Sequence, residues 1–115
     1  MSRFFRSFLY ALAGIKYSFI TQGNFKFHTF AAVFTVVAGF YFNLKAFEWL
    51  WIVAAIAMVV GVELVNTAIE TLVDLVSPEY NFKAGVVKDV SAAAVLVISI
   101  MAAIIGAIIF WPKLF

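Results

Sequence analysis

Apolar runs long enough to cross a bilayer dominate the chain, and short polar segments separate them. A helix needs about 20 mostly apolar residues to span the hydrocarbon core. The runs over residues 27–44 and 90–111 carry no Asp, Glu, Lys or Arg, and a longer apolar stretch ends before Ser77-Pro78. Pro78 disfavours helical backbone at the residue before it. The pattern predicts transmembrane helices over about 27–44, 48–76 and 90–111, with a turn at 22–24 and a polar connector at 77–89 that includes a turn position at Gly85.

The N-terminal segment has a different pattern, in which basic and aromatic side chains alternate over residues 2–22. This pattern is typical of an amphipathic helix lying in the membrane interface. Its apolar run over residues 7–10 is too short for a cleaved signal peptide, so we expect the segment to be retained. The predicted fold class is an all-α membrane protein, with three transmembrane helices preceded by an amphipathic N-terminal surface helix. We expect one domain over residues 1–115.

Composition and charge support the membrane fold class and exclude some classes of function. The chain is 66% hydrophobic and only 12% charged, whereas soluble domains are about half apolar and a quarter charged. A net charge of +2 gives no reason to expect a nucleic acid partner, and the absence of cysteine excludes disulfides and thiol chemistry. With three spans, six of the eight Lys and Arg residues fall on one side. The positive-inside rule then places the N-terminus and the connector at 77–89 in the cytoplasm.

The second predicted helix carries four polar residues that a spanning helix would not be expected to hold. These are Glu63, Asn66, Glu70 and Asp74. At 100° per residue they lie at about 0°, 300°, 340° and 20°, so they share one face of the helix. Each ionised acid at the centre of a bilayer costs about 2.5–3.5 kcal/mol on insertion scales. Such residues usually mark a functional site. We call these four residues the polar stripe.

The chemistry of the polar stripe suits phosphoryl transfer to an alcohol. Carboxylate and amide oxygens are ligands for Mg²⁺, which is commonly shared with substrate phosphates. Lys88 is a cation able to contact a phosphate, and Glu63, the deepest carboxylate, is the candidate general base. Two alternatives stay open: the stripe lines a proton or cation path, or it pairs with Lys88 and Arg6 to hold helices together. We interpret His28, in the first apolar run, as an interfacial residue rather than a ligand.

The segment GVELVNTAIETLVDLVSPEYNFKAGVVKDVSAAAVLV, residues 61–97, resembles the prokaryotic diacylglycerol kinase family of small trimeric membrane kinases, which includes undecaprenol kinases. The family motif has the form E-x-x-N-[ST]-A-[IL]-E-x-x-[VI]-D. The chain matches it at Glu63, Asn66, Thr67, Ala68, Ile69, Glu70, Val73 and Asp74, and Lys88-Asp89 follow at the family's spacing. The N-terminal segment FRSFLYALAGIKYSF also resembles the surface helix of the family.

The resemblance implies a role for each matching position. Glu63 corresponds to the general base and Glu70 to a metal-binding carboxylate. The family's second metal-binding glutamate is replaced here by Gln22, which implies weaker binding of Mg²⁺. The remaining positions correspond to contacts with ATP or to support of its site, and they are Arg3, Tyr10, Asn66, Asp74, Glu79, Tyr80, Asn81, Lys88 and Asp89. A homotrimer with shared active sites in the bacterial inner membrane is also implied.

The sequence therefore predicts an ATP- and Mg²⁺-dependent kinase that phosphorylates a membrane lipid alcohol at the cytoplasmic face. Diacylglycerol and undecaprenol both react through a hydroxyl group, so the motif does not distinguish them. The short connector favours undecaprenol. Two other hypotheses remain. One is a catalytically weakened family member with a structural or regulatory role, because of Gln22. The other is a small proton- or cation-conducting oligomer.

Overall fold

Four helices make up the computed structural model, which describes residues 2–115. They are α1 (Arg3–Thr21), α2 (Gly23–Tyr41), α3 (Ala46–Val76) and α4 (Phe82–Leu114). The expectation of an all-α chain with four helices in this order is confirmed. Helix α3 is the central element, because it packs against each of the other three, while α4 packs only against α3 within residues 2–115.

The long antiparallel hairpin of α3 and α4 carries an ion pair at each end. At one end Lys113 Nζ lies 3.1 Å from Glu48 Oε2, and at the other Lys88 Nζ lies 2.5 Å from Asp74 Oδ1. The two pairs are about 38 Å apart along the helices at 1.5 Å per residue. Bilayers measure about 30 Å across the hydrocarbon core and about 40–45 Å with the headgroup regions. The hairpin therefore has charged ends separated by the thickness of a membrane.

The turn between α2 and α3 depends on two residues with unusual backbone requirements. Asn43 has a φ of 53°, a left-handed conformation that asparagine tolerates better than most residues. A Cβ atom on Gly39 would lie 2.5 Å from Cη2 of Trp49, so only glycine lets the indole pack this close to α2. Next to this contact Leu44, Ile52 and Ile109 form a small buried core.

Helices α1 and α2 are joined by a single residue rather than by the three-residue turn predicted from the sequence. Gln22 has extended backbone angles, with φ −115° and ψ 111°, and α2 starts at the next residue. The two helices contact each other through the rings of Phe19 and Phe30, whose centroids are 6.4 Å apart. Lys26 Nζ lies 5.9 Å from the Phe19 ring centroid, in the range of a cation–π contact.

The prediction of a polar connector over residues 77–89 is wrong, because helix α4 already begins at Phe82. Asn81 caps this helix by accepting hydrogen bonds from the backbone N–H groups of Lys83 and Ala84, at 2.9 and 3.3 Å. Gly85, expected in a turn, lies in the first turns of α4, and no glycine among the described residues has a positive φ. The helix also extends to Leu114, three residues beyond the predicted end.

Two of the helices, α3 and α4, are long and apolar enough to cross a membrane. The third predicted span, over residues 27–44, corresponds to α2, which has 19 residues and carries Lys26 and His28 in its first turns. A third crossing, and an interfacial position for α1, stay predictions. Large apolar side chains are exposed along all four helices of residues 2–115, as expected of surfaces that face lipid or another subunit.

Candidate active site

The polar stripe lies on one continuous helix, α3, as the sequence predicts. Its environment changes along the helix. Glu63 is only 2% exposed, Asn66 and Glu70 are half-buried, and the Asp74 side chain is 65% exposed. Residues 63 and 74 are about 16 Å apart along the axis. The stripe therefore runs from a buried carboxylate at one end to an open, charged end at the other.

Glu63 is the most deeply buried charged residue of the described chain, and its carboxylate has few partners. No hydrogen bond reaches its Oε1 from residues 2–115. His28 Nε2 lies 3.3 Å from this oxygen, but outside hydrogen-bond geometry. Thr67 donates a hydrogen bond of 3.0 Å to the backbone carbonyl of Glu63. A buried carboxylate without donors is costly to keep charged, so this oxygen is available to a proton or a ligand.

The contact with His28 was missed by the sequence interpretation, which assigned this residue to the interface. The available signal was that His28 is the only side chain of the first apolar run able to gain charge near pH 7. Ionisable residues within membrane helices usually face the protein interior and pair with one another. The sequence alone does not show which residue of α3 would be the partner.

A chain of hydrogen bonds links α4 to the middle of the polar stripe. Ser91 Oγ donates to Asn66 Oδ1 at 2.6 Å, and Asn66 Nδ2 donates to Glu70 Oε1 at 3.4 Å. An ionised carboxylate only accepts hydrogen bonds, so the amide must turn its NH₂ group towards Glu70 and its oxygen towards Ser91. The serine hydroxyl thus fixes the orientation of Asn66. Ser91 was not among the predicted site residues.

The outer end of the stripe opens into a cleft of about 130 Å³ between the end of α3 and the start of α4. Five of the residues predicted to contact ATP line it together, namely Asp74, Glu79, Tyr80, Asn81 and Lys88. The Asp74–Lys88 ion pair crosses the cleft. Tyr80 is almost fully exposed, and the Asn81 oxygen is engaged in capping α4. The cleft offers a cation, carboxylates and an open aromatic ring next to water.

Four other predicted site residues do not line this cleft. Arg3 and Tyr10 are exposed on α1, and Asp89 is exposed on α4 beside Lys88. Gln22 sits at the junction of α1 and α2, where its side chain makes no capping hydrogen bond. None of these four side chains has a hydrogen bond or ion pair with another predicted site residue within the described part of the chain. Their roles stay predictions.

Glu70 suits a shared Mg²⁺ site better than a site made by protein alone. Among residues 2–115, no three His, Asp or Glu side chains come together as a metal-binding group. Mg²⁺ usually keeps several waters and binds through one or two carboxylates plus substrate phosphates. From the same residues, the half-buried Glu70 carboxylate receives only the long hydrogen bond from Asn66, which leaves oxygen lone pairs free. The donor set therefore fits Mg²⁺ that arrives with a phosphate.

Comparison with known proteins agrees with this arrangement of residues. The family model for prokaryotic diacylglycerol kinase matches residues 9–110. The chain is 41% identical over 114 residues to an undecaprenol kinase of Bacillus subtilis, covering 99% of this chain and 93% of the relative. It is 40% identical over 109 residues to a diacylglycerol kinase of Synechocystis, covering 94% of this chain and 62% of that relative.

A third relative extends the comparison to a more distant sequence. The chain is 30% identical over 102 residues to the diacylglycerol kinase of Escherichia coli, covering 89% of this chain and 84% of the relative. The resemblance noted from the sequence and the expectation of a lipid kinase are confirmed, and with two membrane-length helices the chain is a membrane protein. The chain belongs to the prokaryotic diacylglycerol kinase family.

Proposed function

We propose that this membrane kinase transfers the γ-phosphate of ATP to the hydroxyl group of undecaprenol, with diacylglycerol as an alternative substrate, at the cytoplasmic face of the bacterial inner membrane. The observation that carries the proposal is the polar stripe, which joins the buried Glu63 to the exposed Asp74–Lys88 pair on one face of α3. The lipid hydroxyl reaches the site from the bilayer, and the nucleotide reaches it from water. The site therefore needs one end buried in the apolar region and one end exposed to solvent.

The depth of each residue supports this arrangement. Trp49 and Trp51 are suited to anchor α3 at one interface. Counting from Trp49, a hydrocarbon core of about 30 Å is crossed in about 20 residues, which ends it near Ile69. Glu63 then lies inside the apolar region, Glu70 at its boundary, and the Asp74–Lys88 pair beyond it. This is the order in which a lipid alcohol, a metal and a nucleotide phosphate would be needed.

The chemistry follows from these positions. The Glu63 carboxylate accepts the proton of the lipid hydroxyl, the oxygen attacks the γ-phosphorus, and the bond from phosphorus to the departing ADP oxygen breaks. Lys88, as a mobile cation at the mouth of the cleft, binds phosphate oxygens. When bound, Mg²⁺ held by Glu70 and Gln22 supplies positive charge that offsets the charge on the transferred group. Asn66 holds Glu70 in place.

The remaining features of the proposal rest on sequence patterns and on the family. Three spans with an interfacial α1 put six of the eight Lys and Arg residues in the cytoplasm. The undecaprenol kinase of Bacillus subtilis shares 41% identity and nearly the full length, which favours undecaprenol over diacylglycerol. A homotrimer accounts for the apolar surface that the single chain leaves exposed.

Transfer of labelled γ-phosphate from Mg-ATP to lipid in mixed micelles tests the proposal. Undecaprenol and diacylglycerol are offered separately, and Glu63→Gln serves as the blank because it preserves the shape of the side chain and removes its basicity. We expect transfer to both lipids, faster to undecaprenol, and loss of transfer in the blank. Folded wild-type protein that labels neither lipid would contradict the proposal, and a preference for diacylglycerol would reverse the substrate assignment.

A further inference from the structure

Lipid phosphorylation leaves the general base with a proton that it must lose before the next turnover. An alcohol and ATP give a phosphate ester, ADP and one proton. Under the proposed function, that proton is first held by Glu63. Glu63 is 2% exposed and its Oε1 accepts no hydrogen bond from residues 2–115, so this oxygen has no direct contact with water within the subunit.

His28 is the one basic side chain of residues 2–115 that lies within 4.0 Å of Glu63. Its Nε2 is 3.3 Å from Glu63 Oε1, and its side chain is 23% exposed. It is the sixth residue of α2, about 9 Å along the helix from the polar junction at Gln22. The imidazole therefore contacts the buried carboxyl group on one side and reaches the surface of the subunit on the other.

We propose, on the basis of the proposed function, that His28 carries the proton of Glu63 to water after each transfer. The O–H of the protonated Glu63 gives its proton to the unprotonated Nε2 of neutral His28, which restores the carboxylate and forms an imidazolium. The imidazolium then loses one proton to water that reaches its exposed edge from the polar junction at Gln22, and it returns to the neutral form. Proton and charge balance in both steps, and no other reactant is needed.

The chemical properties of imidazole suit this step. Among side chains it is the one whose unperturbed pKa lets it gain and lose a proton between pH 5 and 8. The 3.3 Å contact is not aligned as a hydrogen bond, but such contacts often become aligned when substrate is bound. His28 acts on the reaction through Glu63, so it is a positioning and proton-transfer residue.

A cavity beside His28 allows a direct test by chemical rescue. It measures about 150 Å³, lies between α2, α3 and α4, and is lined by His28, Thr35 and mainly small or apolar side chains. In His28→Ala this cavity is enlarged by the volume of the ring, so added imidazole can enter. Pyrazole has the same shape but is a much weaker base. Thr35→Ala enlarges the same cavity two turns further along α2 and is the matched control.

The experiment measures kcat for lipid phosphorylation in micelles, with the assembly and thermal unfolding of each variant checked in the same detergent. In His28→Gln, whose amide is able to donate a hydrogen bond to Glu63 but cannot carry a proton, we expect kcat to fall by about tenfold, less than the roughly 100- to 10,000-fold effect of a general base. Added imidazole, but not pyrazole, should restore the kcat of His28→Ala in proportion to its concentration. Thr35→Ala should keep the wild-type kcat.

Each other result overturns the inference. Wild-type kcat in His28→Gln would mean that hydrogen bonding alone is sufficient. Equal rescue by pyrazole would mean that the ring only fills space, and no rescue by imidazole would mean that a base at this position is not what the variant lost. His28→Ser replaces the alanine variant if that does not assemble. An inactive wild-type enzyme would instead contradict the proposed function itself, which keeps the two failures distinguishable.

Discussion

Removal of the Ser91 hydroxyl group should weaken the site although Ser91 contacts neither predicted substrate. In Ser91→Ala, Asn66 Oδ1 loses the 2.6 Å hydrogen bond that fixes its orientation. Ser91 is 8% exposed, so water cannot readily replace the missing donor. The amide is then free to turn, and Glu70 loses the Asn66 N–H that holds its carboxylate.

The magnitude follows from the cost of leaving a buried acceptor without a donor. That cost is about 1–3 kcal/mol, and the partial burial of Asn66 favours the lower half of the range. A loss of about 1–2 kcal/mol corresponds to a factor of about 5–30. Because Glu70 is proposed to bind the metal that accompanies ATP, we expect kcat/KM for Mg-ATP to fall by this factor, while KM for the lipid changes little.

The assay is steady-state phosphorylation of lipid in mixed micelles, with Mg-ATP varied at saturating lipid. Ser99→Ala is the matched control, because Ser99 lies two turns further along α4 and its Oγ is buried without a hydrogen-bond partner in residues 2–115. Ser91→Thr retains the hydroxyl group and should recover most of the activity. If Ser91→Ala and Ser99→Ala behave alike, the proposed role of the hydrogen-bond chain is refuted.

Three further predictions concern packing, nucleotide binding and metal binding. In Gly39→Ala the new Cβ would lie 2.5 Å from the Trp49 ring, and the overpacking should lower the unfolding free energy by about 1–3 kcal/mol in detergent. Gly61→Ala, where a Cβ meets nothing within 4 Å, is its control. In Lys88→Gln, KM for ATP should rise while the thermal midpoint stays nearly unchanged, because exposed ion pairs contribute little stability. In Gln22→Glu, the Mg²⁺ concentration that gives half-maximal activity should fall, because a carboxylate replaces a neutral amide.

Each of these predictions has an outcome that would contradict it. A Gly39→Ala protein as stable as the wild type would show that the indole can move aside without loss. An unchanged KM for ATP in Lys88→Gln would remove the cleft between α3 and α4 from the nucleotide site. An unchanged or higher Mg²⁺ requirement in Gln22→Glu would mean that residue 22 is not near the metal.

The order and type of the helices could be predicted because apolar runs and breaks are local properties of the sequence. The start of α4 was missed for a physical reason. The segment is polar because it contains Lys83, Lys88 and Asp89. Polar residues mark where a chain leaves the membrane, but the helix itself can continue beyond that point. The signal for this start is Asn81, a residue type that often caps helices.

The polar stripe could be predicted because helical spacing alone places its four residues on one face. The partners that complete the site could not, since they come from other helices. His28 meets Glu63 from α2, and Ser91 meets Asn66 from α4. A single sequence carries no information on how two helices are rotated against each other. The positions of Gln22, Arg3 and Tyr10 relative to the cleft depend in the same way on packing beyond one helix.

The most direct test of the account compares wild type and Glu63→Gln in two measurements on the same folded protein. One is transfer of labelled phosphate from Mg-ATP to undecaprenol, and the other is binding of Mg-ATP. We expect the substitution to abolish transfer and to leave nucleotide binding nearly unchanged, because Glu63 lies about 16 Å along α3 from the Asp74–Lys88 pair. Transfer at the wild-type rate in Glu63→Gln would show that this buried carboxylate does not activate the lipid hydroxyl.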